Sequence, residues 1–186
     1  MQKLRKISNE ELKNILELHK KWLNNEKDGK RADLSYVDLA SVDLTNVDLR
    51  YVDLTGANIS YANLKDADLR NVDLTEAILI GVILKDADLR DAKLRYVDLT
   101  DAILIGAKLT NCDLYKTKLF YTKIDNMISI GNLGNNNRTV YYFYKENRII
   151  CGCFDDRLEK FEEAVSKKYD KDSNYYVAIN TFKNMK

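Results

Sequence analysis

The chain has 186 residues, 45% of them apolar and 32% charged, with a formal net charge of +1. Such a composition belongs to a soluble folded protein, either one domain of ordinary size or a small repeat array with attached ends. No run approaches the roughly 18 consecutive apolar residues of a membrane span, and the opening residues Met1 to Lys6 lack the apolar core of a signal peptide.

The three cysteines, an odd number, make no disulfide framework and suit a reducing compartment, so a cytoplasmic location is expected. The small net charge conceals an uneven distribution. Residues 1–31 carry nine basic and five acidic side chains, residues 32–126 carry eleven and sixteen, and residues 127–186 carry ten and eight. An acidic central body thus has mildly basic flanks.

In the first segment, 1–31, Ser8-Asn9-Glu10-Glu11 has the form of a capping box, with Ser8 as N-cap and Glu11 three residues on. Leu12, Ile15, Leu16, His19, Trp22 and Leu23 follow at helical spacing, and Gly29 is the expected stop. The spacing predicts an amphipathic helix of about four turns. Its apolar stripe needs a surface to cover, and Leu16, His19, Trp22 and Leu23 are the expected anchors of a cap on whatever follows.

From Ala32 to Asn126 the sequence repeats every five residues, nineteen times, without insertion. The third position is leucine in seventeen repeats, with Ile59 and Ile124 as the exceptions; the first is Ala nine times, Val seven times, then Cys112, Thr117 and Thr122. One large and one small inward residue in every five match neither a period of 3.6 nor one of 2. They fit a chain that turns a corner every five residues.

The frame Ala-Asp-Leu-x-x, as in Ala32-Asp33-Leu34-Ser35-Tyr36 and Ala67-Asp68-Leu69-Arg70-Asn71, resembles the consensus of the pentapeptide-repeat family. That resemblance implies a mainly β fold: a right-handed, four-sided parallel β-helix solenoid of about five coils. With coils about 4.8 Å apart the body would be about 23 Å long. The expected organisation is a capping helix (1–31), the β-helix (32–126) and a C-terminal α+β module (127–186).

Four repeats per coil stack residues twenty apart on one side, which sorts the exterior. One side carries Arg50, Arg70 and Arg90 in a column beside Asp48, Asp68 and Asp88. This charged ladder is either a solvated set of ion pairs or a strip that docks a partner. Tyrosines close the repeats at Tyr36, Tyr51, Tyr61, Tyr96 and Tyr121, and are expected to pack at corners with their hydroxyls wet. Isoleucine breaks the polar pattern at Ile78 and Ile80 on one side and at Ile83, Ile103 and Ile105 on the next. Together they form a candidate interaction patch of several hundred Å², to be covered by the chain's own C-terminal segment, a second copy, or another protein. Gly81 and Gly106 fall at turns where bulk would be trimmed.

After Asn126 the frame is lost. Ile128-Ser129-Ile130 offers one more strand, and Gly131 to Asn137 reads as a loop. Val140 to Tyr144 and Arg148 to Phe154, separated by Lys145-Glu146-Asn147, read as a hairpin. Asp156-Arg157-Leu158-Glu159 has the form of a second capping box, with Leu158, Phe161, Val165 and Tyr169 at helical spacing; the run from Tyr175 to Lys186 favours a further helix.

No constellation for catalysis, cofactor or metal emerges. Cys151 and Cys153 share a strand face, but a zinc site needs two more ligands; Cys112 sits in an inward slot; and His19 has no visible catalytic partner. The acidic body opposes direct nucleic-acid binding. The expected function is therefore that of a non-enzymatic interaction or scaffold protein, with a protein partner or a homodimer. The alternative implied by the resemblance is imitation of DNA against a type II topoisomerase, since some family members that protect or inhibit DNA gyrase are acidic rods. Against it, a charge of −5 over about 23 Å falls short of the roughly −13 that B-DNA carries over that length.

Overall fold

The computed structural model describes residues 3–125, 127–133, 138–144, 147–151, 154–169 and 173–184. They fall into two compact units, Met1–Ile124 and Asp125–Lys186.

The first unit begins with β1 (Arg5–Lys6) and α1 (Asn9–Leu23), and β2 (Val37–Asp38) follows in the second repeat. Ser8 caps α1, its Oγ accepting from Glu11 N at 3.0 Å. Only half of the expected capping box is built, because the Glu11 carboxylate turns to Arg5 Nη1 at 3.1 Å instead of the Ser8 N–H. The helix also ends before Gly29. Asn24 is the C-cap and Asn25 takes φ +55°; Glu26 N then donates to Lys21 O at 2.9 Å and Asn25 N to Trp22 O at 3.1 Å. These are the two bonds of a Schellman motif, for which asparagine substitutes for glycine at the left-handed position. Gly29 is needed for a different reason. A Cβ there would lie 2.4 Å from Trp22 N, so the chain can double back against α1 only without a side chain.

The repeat body is a β-helix. Parallel bridges join residues twenty apart, from Asp33 with Asp53 through to Ile103 with Lys123. The first-position residues and the leucines are buried through most of the body: Leu54, Val72, Leu84 and Val97 are each 0% exposed. Within each coil, Val37 N donates to Leu34 O at 3.2 Å, and the same bond recurs at successive corners. Every fifth residue from Tyr36 to Tyr121 has positive φ, between 52° and 75°. That explains the crowding of Asn, Asp and Gly in the fifth position, since these residues tolerate the left-handed region best.

The second position has its own cause. Asp or Asn there accepts, through Oδ1, from the N–H two residues on, at 3.0–3.4 Å in repeats from Asp33 to Asp113. This Asx turn holds the chain as it enters the corner. The three polar intruders in the inward first position are satisfied as well. Cys112 Sγ, Thr117 Oγ1 and Thr122 Oγ1 donate to the carbonyls of Leu89, Leu94 and Leu99 at 2.9, 2.6 and 2.8 Å.

The second unit is an antiparallel meander of β3 (Met127–Leu133), β4 (Arg138–Phe143), β5 (Arg148–Cys151) and β6 (Phe154–Arg157), followed by α2 (Leu158–Ser166) and α3 (Asn174–Lys183). The expected hairpin is its centre, with β3 and β6 added at either edge. Ile128-Ser129-Ile130 is indeed strand, and it pairs with β4, with Ile128 opposite Tyr142 and Ile130 opposite Val140. Gly131 to Leu133 continues that strand, while the remaining loop residues 134–137, together with Asn126, Lys145, Glu146, Gly152 and Cys153, lie outside the described residues. The second capping box does not form: Arg157 is the N-cap and makes no side-chain cap bond, and Glu159 accepts from Asn147 Nδ2 at 3.0 Å. Val140, Tyr142, Ile149 and Cys151 from the sheet close on Leu158, Phe161, Val165, Ile179 and Phe182 from the helices, which gives this unit its own core.

Candidate functional site

At the start of the coil, His19 is the only buried polar side chain among the described residues, at 0% exposure. Its Nδ1 accepts from Ala32 N at 3.2 Å and its Nε2 contacts Arg50 O at 3.0 Å. An acceptor role for Nδ1 and a carbonyl opposite Nε2 together select the neutral tautomer with the proton on Nε2. Burial holds the imidazole below its ordinary pKa of 6.5; the Arg50 carbonyl and the Asp48 carboxylate pull the other way without overcoming it. Trp22 stacks on this ring at 5.6 Å and meets Tyr51 edge-on at 6.2 Å. Leu16 and Leu23 are half-buried. β1 adds in parallel to β2 (Val37–Asp38), with Arg5 N donating to Tyr36 O at 2.7 Å.

The charged ladder is built mostly of rungs within single repeats. Arg50 Nη2 lies 2.7 Å from Asp48 Oδ2, Arg70 Nη2 2.5 Å from Asp68 Oδ2, and Arg90 Nη2 2.6 Å from Asp88 Oδ2. Cross-coil contacts are longer: Arg50 to Asp68 at 3.6 Å and Lys108 to Asp88 at 3.9 Å. Each carboxylate therefore grips both its own turn and its own arginine. For Asp88 the Arg90 hydrogen bond, opposed by burial, holds the pKa below the usual carboxylate value. For Asp48 burial pushes upward, but the Arg50 bonds win and the net direction is down.

The five isoleucines lie where the frame places them. Asn58, Ile78 and Asp98 form one bridged column, and Asn63, Ile83, Ile103 and Lys123 the next. Ile78 and Ile105 are 37% and 39% exposed, while Ile80, Ile83 and Ile103 are half-buried. Gly81 at the adjoining corner has φ +64°, and a Cβ there would come within 2.5 Å of the Tyr61 ring. Tyr36 lies over Gly56 in the same way. Gly56 and Gly81 thus make room for the tyrosine of the preceding coil, while Gly106 lies over Asp86. Tyr36 is half-buried, but the other fifth-position tyrosines are exposed, with Tyr61 at 66% and Tyr121 at 85%.

One feature had no counterpart in the sequence. A groove of about 900 Å³ runs between α1 and the first coil, lined by Leu12, Leu16 and Leu23 on one wall and Val42, Leu44 and Val47 on the other. Val42 and Val47 are only half-buried, whereas Val37, Val52, Val72, Val82 and Val97 are each 0% exposed. The signal available was the length of α1: fifteen residues cover one strip of the coil end and leave the rest.

Bridges twenty residues apart and a buried leucine and small residue in each repeat define a solenoid repeat protein. The family model for pentapeptide repeats matches in eight copies over residues 53–91 and 83–119, within the repeat body. Similar solved structures include HetL, a pentapeptide repeat protein involved in heterocyst differentiation regulation from the cyanobacterium Nostoc sp. strain PCC 7120, at 35% identity over 50% of this chain and 44% of that one, with a TM-score of 0.48. Rfr23 from the cyanobacterium Cyanothece 51142 aligns at 33% identity over 51% and 58% of the two chains, with a TM-score of 0.35. A pentapeptide repeat protein from the Arabidopsis thaliana thylakoid lumen aligns at 28% identity over 51% and 70%, with a TM-score of 0.41. The chain spans about half the length of the first two. No curated protein matches it.

Proposed function

We propose that the chain is a non-enzymatic docking scaffold: a four-sided coil of about five turns, closed at its start by α1, that binds a protein partner through the isoleucine patch. Its setting is the cytoplasm, and neither nucleic acid nor membrane is the target. The observation that carries this reading is the interruption of two polar columns by Ile78, Ile80, Ile83, Ile103 and Ile105. Nineteen repeats hold to their frame inside the coil, so outward isoleucines do not serve the coil itself. Catalysis is disfavoured by how the ionisable groups are used. The sole histidine has both ring nitrogens committed to backbone, and the second-position carboxylates are committed to their own turns.

The test uses wild type and an Ile78→Thr, Ile83→Thr, Ile103→Thr variant. Proteins captured by the wild type are purified and titrated against both forms, and sedimentation equilibrium reports self-association. Binding weakened at least tenfold in the variant, or a dimer lost, supports the patch. Equal binding of every captured protein, with unchanged mass, refutes it. Imitation of DNA is the weaker reading, because the Arg50, Arg70 and Arg90 rungs neutralise carboxylates along one side. A supercoiling assay with purified gyrase separates the two: inhibition at micromolar protein would favour imitation.

A further inference from the structure

A single titratable side chain makes the hydrogen bonds that hold α1 to the coil. Only Leu12 and His19 of α1 are buried, while Ile15, Leu16, Trp22 and Leu23 are half-buried. Among the described residues, the hydrogen bonds between α1 and the coil are the two that His19 makes: Ala32 N donates to Nδ1 at 3.2 Å, and Nε2 donates to Arg50 O at 3.0 Å. The first reaches the entry of the first coil and the second its fourth repeat, so one ring fastens both ends of that turn. The charged groups that face the ring are Arg31, just before the first repeat, and Asp48 and Arg50 in the fourth. Both oxygens of Asp48 already accept from Arg50, and Arg50 also meets Asp68 at 3.6 Å. One turn away along α1, Ile15, Leu16, Trp22 and Leu23 carry no charge; on β1, Arg5 pairs with Glu11 at 3.1 Å. The one carboxylate facing the ring is thus balanced by an arginine before any imidazolium forms.

We propose that His19 is a proton-operated latch: a proton taken up on Nδ1 releases α1 from the coil while the coil itself stays folded. The neutral ring accepts at Nδ1 and donates at Nε2. Once protonated it donates at both, so Nδ1–H meets the Ala32 N–H and that amide loses its acceptor. The charge also sits at 0% exposure in the field of Arg31 and Arg50, and a buried charge without a partner of its own is costly. Moving α1 outward returns the ring to water and gives up the half-buried stripe and the edge contact of Trp22 with Tyr51 at 6.2 Å. The bond from Arg5 N to Tyr36 O does not involve the ring, so the released helix stays tethered on both sides. Burial already holds the pKa of the ring below 6.5. Docking is therefore complete above that pH and weakens about tenfold per pH unit below it, until the docked ring itself takes the proton. The latch acts at the start of the coil and is independent of the isoleucine patch.

The test is amide exchange followed by NMR on the full chain, with titration of the imidazole C–H signals, which are unambiguous because His19 is the sole histidine. Protection factors are compared for Ala32 N, bonded to the ring, and Leu84 N, bonded to Ile103 O inside the coil at 2.7 Å. The ring should titrate below 6.5. The Ala32 amide should be roughly a hundredfold less protected than that of Leu84 and should lose about tenfold of its protection between about pH 6.5 and pH 5.5. His19→Gln offers one acceptor and one donor but takes no proton, so its Ala32 protection should stay flat over that range. Asp48→Asn removes the carboxylate that faces the ring; it should move the ring's titration to lower pH and deepen the loss at about pH 5, a second readout should His19→Gln disturb the helix. Equal protection of Ala32 and Leu84 at each pH overturns the proposal, because α1 would then leave only when the coil unfolds. A ring that titrates at or above 6.5 overturns it too. So does a loss of the same size in His19→Gln, which would assign the effect to another group, or an Asp48→Asn chain in which titration and loss are both unmoved.

Discussion

At residue scale, two small devices hold the corners and the end of the coil. Asp33 and Asp43 accept from the hydroxyl and the N–H of the residue two ahead, and these bonds lower both pKa values from the ordinary 3.8. For Asp73 and Asp98 burial pushes upward, yet the bonds from Thr75 and Lys93 to one and from Thr100 and Lys118 to the other leave both lowered. Depressed carboxylates stabilise the fold fully above their unfolded pKa and lose that contribution as pH falls through the folded values. Urea midpoints should therefore hold down to about pH 4 and drop steeply below it; a midpoint unchanged at about pH 2.5 would contradict the Asx turns. His19 has the same sign at a higher pH. Its lowered pKa makes its contribution complete above 6.5 and progressively lost below that, as the unfolded state takes up a proton that the folded state resists. The His19→Gln variant should show no such slope between about pH 7 and pH 5 in urea melts.

At the scale of elements, α1 and the fifth-position corners carry the informative tests. Trp22 is half-buried but stacks on His19 and edges Tyr51. Trp22→Ala should cost about 2 kcal/mol, below the ~3–5 of a fully buried aromatic; a loss under half a kcal/mol would remove α1's role in closing the coil. Gly81→Ala meets two obstacles, positive φ and the Tyr61 ring at 2.5 Å. Its cost should be about 2 kcal/mol in wild type and about 1 in a Tyr61→Ala background, where only backbone strain remains. These elements also mark how far the amino-acid pattern reaches. The period of five gave the coil and its inward residues, because two buried positions recur in frame in every repeat. The Schellman end at Asn25 was hidden because Gly29 is the more familiar stop. The groove was hidden because the half-burial of Val42 and Val47 depends on where α1 lies, and an amphipathic stripe states only that a helix packs, not over which part of the coil. β3 and β6 joined a meander because both continue β-rich runs past the residues that suggested turns.

At the scale of the molecule, the chain separates two kinds of apolar surface. Leucines and small residues inside the coil build the fold, and the outward isoleucines interrupt columns that the coil would otherwise fill with polar residues. The charged rungs belong to the fold's exterior, each ion pair on exposed or partly exposed side chains and of small individual worth. The candidate patch was legible because a strict frame makes an exception conspicuous; which molecule covers it is not written in the repeat. The most direct test compares urea unfolding of the Ile78, Ile83, Ile103 triple threonine variant with that of Leu84→Ala, whose side chain is 0% exposed. Leu84→Ala alone should cost about 2–5 kcal/mol, and the triple change about 1.5 kcal/mol or less in total, since threonine suits an outward strand position. A triple variant that loses as much as Leu84→Ala or more would mean that the isoleucines are core of this chain, and the account of them as a docking surface would fail.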